Sequence, residues 1–193
     1  MSNKLSTKVL AIAPLLLLVL SKIIWTQHDT LAQAFLWASY VAECVFILRL
    51  IVENKTADWF YSTILGLIII GSVGALFKVM HWPLAGVMLW AGIAASILTA
   101  CSVLYSVINK KNQSGRFLFL ILGICLFLQL ILVAGVITFY KLPILTYARF
   151  LHYPIAAMCG TILLKNESKN SGERNLILYL LVHSLFVIIK QTF

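Results

Sequence analysis

Seven continuous apolar stretches organise this chain, at 9–26, 31–51, 60–79, 84–108, 117–140, 142–164 and 176–189. The hydrocarbon core of a bilayer is about 30 Å thick and takes roughly 20 helical residues to cross. Inside it a backbone satisfies its own polar groups only as a helix or a closed barrel. Runs of this length, apolar without alternation, read as helices. The expected fold class is therefore all-α, a polytopic integral membrane helical bundle of six or seven transmembrane helices. The last run is short, and the sixth carries Arg149, His152 and Pro154 near its middle. If the last run does not span, the count falls to six.

Composition excludes the other classes. Of 193 residues, 62% are hydrophobic and 11% charged, whereas a soluble domain is about half apolar and about a quarter charged. Disordered and collagen-like chains run the opposite way. Cys44, Cys101, Cys125 and Cys159 all fall inside apolar stretches, where a small buried side chain is the natural reading and a disulfide framework is not. Lys4, Lys8 and the run that follows imitate a signal peptide, but no small-residue cleavage site precedes Lys22, so a retained first helix is expected.

The net charge of +9 does not form a nucleic-acid surface, because the basic residues sit in short clusters between the runs. Their position gives a topology instead, since basic loops stay on the cytoplasmic side. Placing the N-terminus and the longer loops inside puts ten of the fifteen Lys and Arg at the cytoplasm: Lys4, Lys8, Arg49, Lys55, Lys110, Lys111, Arg116, Lys165, Lys169 and Arg174. The expected location is a bacterial inner membrane, multi-pass, with the N-terminus cytoplasmic and the C-terminus outside.

The chain reads as one membrane domain with an internal repeat, hairpins 9–51 and 60–108 followed by C-terminal helices over 117–189. Aligning His28 with His81 pairs Leu31 and Ala32 with Leu84 and Ala85, then Leu36, Trp37 and Ala38 with Leu89, Trp90 and Ala91, without a gap. Arg149, His152, Tyr153 and Pro154 match Lys78, His81, Trp82 and Pro83 in type and spacing, but fall within the sixth run. Small residues four or eight apart, such as Gly71 and Ala75 or Gly92, Ser96 and Ala100, let helices approach closely in lipid.

The polar residues inside the runs are the candidate sites. Glu43 lies twelve residues after Leu31, about 18 Å along a helix at about 1.5 Å per residue. A bare charge there costs several kcal/mol, so it must be protonated, paired or turned to a polar cavity. It serves equally well as a protonatable group on an ion path or as a buried acid that fixes helix packing. Gln129, Arg149 and His152 are further polar intramembrane candidates. At the hairpin corner, Pro83 suits the first helical position, Trp82 the membrane interface, and Lys78 can snorkel toward headgroups. His81 can bond loose backbone groups or titrate near neutral pH. These four are explained by a well-anchored corner. His28, His81, His152 and the solitary His183 share no ligand-like spacing, and HExxH, CxxC, CxxCH, GxGxxG, Walker and GxSxG patterns are absent. A non-enzymatic protein without metal or cofactor is expected.

The segment 74–89, GALFKVMHWPLAGVML, resembles the transmembrane hairpin of the GldL family of gliding-motility motor proteins and related membrane proteins of the Bacteroidota. The likeness covers about thirty residues, from Gly71 to about Ala100. It implies an inner-membrane component of a complex with a GldM-like partner, driven by proton-motive force in gliding and type IX secretion. The family pattern has a lysine at Lys78 and a membrane-embedded glutamate fifteen residues after the histidine. Fifteen after His81 is Ser96, whereas fifteen after His28 is Glu43, so the pair is split between the two hairpins. On the resemblance, Glu43 would titrate, Lys78 would modulate it, and His81 would relay protons or anchor the corner. A small-molecule or ion transporter, and a haem- or quinone-binding membrane protein, are the other function classes open to this sequence.

Overall fold

The computed structural model describes residues 2–25, 29–54, 58–79, 83–109, 112–139, 149–168 and 171–192. Among them every regular element is a helix: α1 (Ser2–Ile24), α2 (Asp29–Glu53), α3 (Trp59–Val79), α4 (Ala85–Asn109), α5 (Gln113–Phe139), α6 (His152–Leu164) and α7 (Ser171–Thr192). Five of these, α1, α2, α4, α5 and α7, are long and apolar enough to cross a membrane. α1 pairs with α2, α3 with α4, α4 with α5, and α6 with α7.

The two least regular runs take shapes their sequences only partly indicate. The last is longer than 176–189, because the helix begins at Ser171 and reaches Thr192. Its first turn carries Glu173 and its last Lys190, the signs that complement the helix dipole. Of the sixth, residues 142–148 lie outside the described ones, and its helix from His152 to Leu164 has 13 residues, about 20 Å at about 1.5 Å per residue. Pro154 has no N–H to give the carbonyl of Phe150, so the ladder cannot run unbroken through this point. Arg149 and Phe150 are helical on the far side of Leu151. At its other end α6 closes in a Schellman motif. Asn166 adopts φ 51°, Asn166 N–H donates to the Leu163 carbonyl, and Glu167 N–H to that of Ile162.

One end of the bundle is tied by polar contacts between loops. Glu53 accepts from Thr7 Oγ1 and pairs with Arg49 at 3.1 Å. Asn175 Nδ2 donates to Asn54 Oδ1 at 2.8 Å. Asp58 Oδ2 accepts from Ser171 Oγ and from the Gly172 N–H, so a carboxylate from the start of α3 caps the start of α7. Asn112 Nδ2 donates to Glu167 Oε1 at 3.0 Å. The N-terminal part of α1 and the three longer loops thus share this end. Above it lies a solid apolar core, centred on Phe46, Leu50, Ile64, Phe119, Ile162 and Leu176.

α7 is the central helix. It packs on α1, α2, α3 and α6, and 56% of its apolar window is buried against 22–33% in the other four long helices. At the opposite end of the α3–α4 hairpin, α4 starts at Ala85. Pro83 therefore stands in the turn before the helix and not at its first position. Leu84, with φ 67°, intervenes.

Candidate functional site

The polar residues buried in the runs converge on α7. Glu43 stands ten residues before the end of α2 and His183 twelve residues into α7, about 15 and about 18 Å from the loop-tied end. At these similar depths they meet: His183 Nδ1 and Glu43 Oε1 are 2.8 Å apart. Glu43 is 8% exposed, so the acid has the partner its depth demands. The contact accommodates a proton on either atom, as a carboxyl O–H donating to Nδ1 or as Nδ1–H donating to a carboxylate.

A second histidine stands beside the first. The rings of His152 and His183 are 5.7 Å apart at 63°, edge to face. Gln129 Nε2 donates to His152 Nε2 at 2.9 Å, which puts the ring proton of a neutral His152 on Nδ1, facing Ser184 Oγ at 3.4 Å. Three helices supply these polar side chains at mid-bundle. α5 brings Gln129, α6 begins at His152, and α7 carries His183 and Ser184 on adjacent faces. Tyr179, one turn before His183, stacks on its ring at 5.5 Å and 26°. One turn outward on α2, Tyr40 OH accepts from Lys190 Nζ at 2.7 Å. The resulting series is Gln129, His152, His183 and Glu43, set between otherwise apolar helices.

The group borders a cavity of about 360 Å³ between α3, α4, α5 and α7, with Gln129, Tyr179 and His183 in its wall. His183 keeps 37% of its side-chain surface open and lines the cavity. α3 and α4 touch beside it at two glycines, since a Cβ on Gly71 would come within 2.5 Å of Gly92 Cα.

Of the candidates read from the sequence, Glu43, Gln129 and His152 join this group. Arg149 is exposed and does not. His28, His81 and Trp82 lie outside the described residues, and Lys78 falls in the last turn of α3 with its side chain outside them as well. Pro83 is exposed in its turn. His183, Tyr179 and Ser184 were not singled out. His183 pairs with a residue 140 positions away, and no local spacing announces such a contact. The signal available was only that an ionisable residue inside an apolar run needs a partner. All four cysteines are free, and no cluster of three His, Cys, Asp or Glu suited to a metal ion occurs among the described residues.

Comparison of the chain with protein-family models, with curated proteins and with solved structures gives no match.

Proposed function

We propose that this chain is a multi-pass inner-membrane protein that passes protons through the middle of the bilayer by way of Glu43 and His183, as a non-enzymatic component of a membrane complex. The observation that carries the reading is the 2.8 Å contact between these two side chains at mid-bundle, continued by His152 and Gln129. A carboxylic acid and an imidazole are the two side-chain types that exchange protons most readily near neutral pH. An apolar bundle keeps such a pair only at a cost that function or packing must offset.

The membrane reading is supported by five helices of sufficient length and apolarity. The orientation, N-terminus inside, is supported by the basic residues of the three longer loops, which meet at one end. The link to proton-motive force, to gliding or type IX secretion and to a GldM-like subunit rests on the FKxxHWP segment and its resemblance to the GldL hairpin. So does a modulating role for Lys78 and a relay or anchoring role for His81. The reading as duplicated hairpins rests on the gapless alignment of 28–38 with 81–91. A small-molecule transporter is the second reading, favoured by the cavity beside His183.

The test combines composition and flux. Gentle purification from the native membrane followed by native mass spectrometry is expected to retain a single-span partner in unequal ratio. Vesicles carrying that assembly should take up protons under an imposed gradient, and Glu43→Gln should reduce uptake to the level of empty vesicles while the protein remains folded and inserted. Undiminished uptake by the variant would leave Glu43 a packing residue only.

A further inference from the structure

The cavity beside His183 has a wall that proton transfer to Glu43 does not use. Its hydroxyls face inward on their own helices: Ser72, Ser96 and Thr99 donate to the carbonyls of Ile68, Gly92 and Ala95 at 2.9, 2.9 and 2.7 Å. That leaves them only lone pairs to offer. Tyr179 OH, His183 Nε2 and Gln129 Oε1 are different, because none of the three has a hydrogen-bond partner among the described residues. Three polar atoms with open hydrogen-bonding capacity thus converge on one largely apolar cavity, the arrangement of a ligand pocket. The rest of the wall is apolar, including Ile68, Leu89, Ile93 and Leu126, and among the described residues no Asp, Glu, Lys or Arg lines it.

This donor and acceptor set selects the occupant. A charged molecule would meet no fixed counter-charge. A plain acyl chain would leave the phenol and the amide oxygen unpaired. A flat neutral ring with two hydroxyl substituents satisfies both: one ring oxygen accepts from Tyr179 O–H, the other hydroxyl donates to Gln129 Oε1, and His183 Nε2 donates or accepts according to where the proton shared with Glu43 sits. The volume, about 360 Å³, is at the small end of about 300–1,000 Å³ for ligand pockets. It suits a ring head better than a whole long-tailed lipid. We propose that the cavity binds the head group of a lipid-dissolved quinone-class molecule, with Tyr179, Gln129 and His183 as the polar contacts. The inference rests on the membrane reading above but not on proton transport, and it concerns binding alone.

The experiment uses the full chain in lipid nanodiscs and a decyl-substituted benzoquinone in its reduced, dihydroxy form as probe, read by quenching of intrinsic fluorescence. Saturable binding at one site per chain is expected. Tyr179→Phe and Gln129→Leu should each weaken it about tenfold, the size of a lost hydrogen bond. Ser96→Leu, which fills the cavity with an apolar side chain, should remove the saturable component. Thermal melts of each variant separate loss of binding from loss of fold. Non-saturable uptake that Ser96→Leu leaves unchanged is partition into lipid and overturns the proposal. Displacement by a ring-free decyl chain as efficient as by the quinone also overturns it, in favour of an acyl-chain pocket. Because the readout is binding, a Glu43→Gln variant that keeps its proton flux would sink the transport reading without touching this one.

Discussion

The pair Glu43 and His183 couples two helices whose sequence positions give no hint of each other. Glu43 was visible as the most costly residue of the apolar runs, and Gln129 and His152 as polar interruptions. Their meeting point was not, because a contact between α2 and α7 depends on how the helices assemble and leaves no trace in periodicity. His183 looked unremarkable for the same reason. The pairing has an energetic signature. Removing the imidazole leaves a mid-bundle acid unpartnered, whereas removing both leaves nothing unpaired. His183→Ala should therefore cost about 1–3 kcal/mol, and the Glu43→Leu, His183→Ala double variant less than the sum of its singles. Unfolding in mild detergent measures both, and strict additivity would mean that the two side chains do not interact. Asp58 gives a second residue-scale prediction. Asp58→Ala removes the acceptor for Ser171 Oγ and Gly172 N–H and should lower stability by about 1–2 kcal/mol, the range for a lost helix cap. Asp58→Asn keeps an acceptor and should recover most of it.

Helices were the legible part of the fold, and their boundaries fell within a few residues of the apolar runs for α2 to α5, while α1 begins seven residues before its run. The exceptions are instructive. α7 has the lowest mean hydropathy of the five long helices, and its polar residues made it look too short to span. Those residues, Asn175, His183 and Ser184 among them, face other helices, so the segment that is least apolar is also the most enclosed. Hydropathy measures how well a helix tolerates lipid, and a helix surrounded by protein is released from that demand. The sixth run is described only from Arg149 onward, where α6 begins at His152 beside Pro154. The small-residue stripes, read as generic, acquire a definite role where α3 meets α4. Gly71→Leu puts side-chain atoms into backbone only 2.5 Å from its Cβ and should separate these helices, lowering the melting temperature sharply. A Cβ at Gly86 meets nothing within 4 Å, so Gly86→Ala should be neutral or stabilise α4 by up to about 1 kcal/mol. Equal melting of the two variants would remove Gly71 as the contact point.

Among the described residues, polar contacts between loops tie one end, an apolar core adjoins it, and a cavity bordered by His183 and Gln129 lies at mid-depth. The proposed proton path needs one end to face the cytoplasm and the group of Glu43, His183, His152 and Gln129 to be reached at mid-depth. Single cysteines at Asn54, Asn112 and Glu167, in a background without the native four, should accordingly react with an impermeant reagent from the same side of the membrane. Cysteines at Leu84 and Gln191 should react from the other. A mixed pattern would break the orientation read from the basic loops. The central claim, that Glu43 holds an exchangeable proton inside the bundle, is open to direct observation. Infrared difference spectra of the full chain in lipid, recorded between acidic and alkaline buffer with 13C-labelled glutamate, should contain a carboxyl band that appears and disappears with pH. That band should vanish in Glu43→Gln and shift in His183→Gln. A wild-type spectrum with no pH-dependent carboxyl band that Glu43→Gln removes would contradict the account.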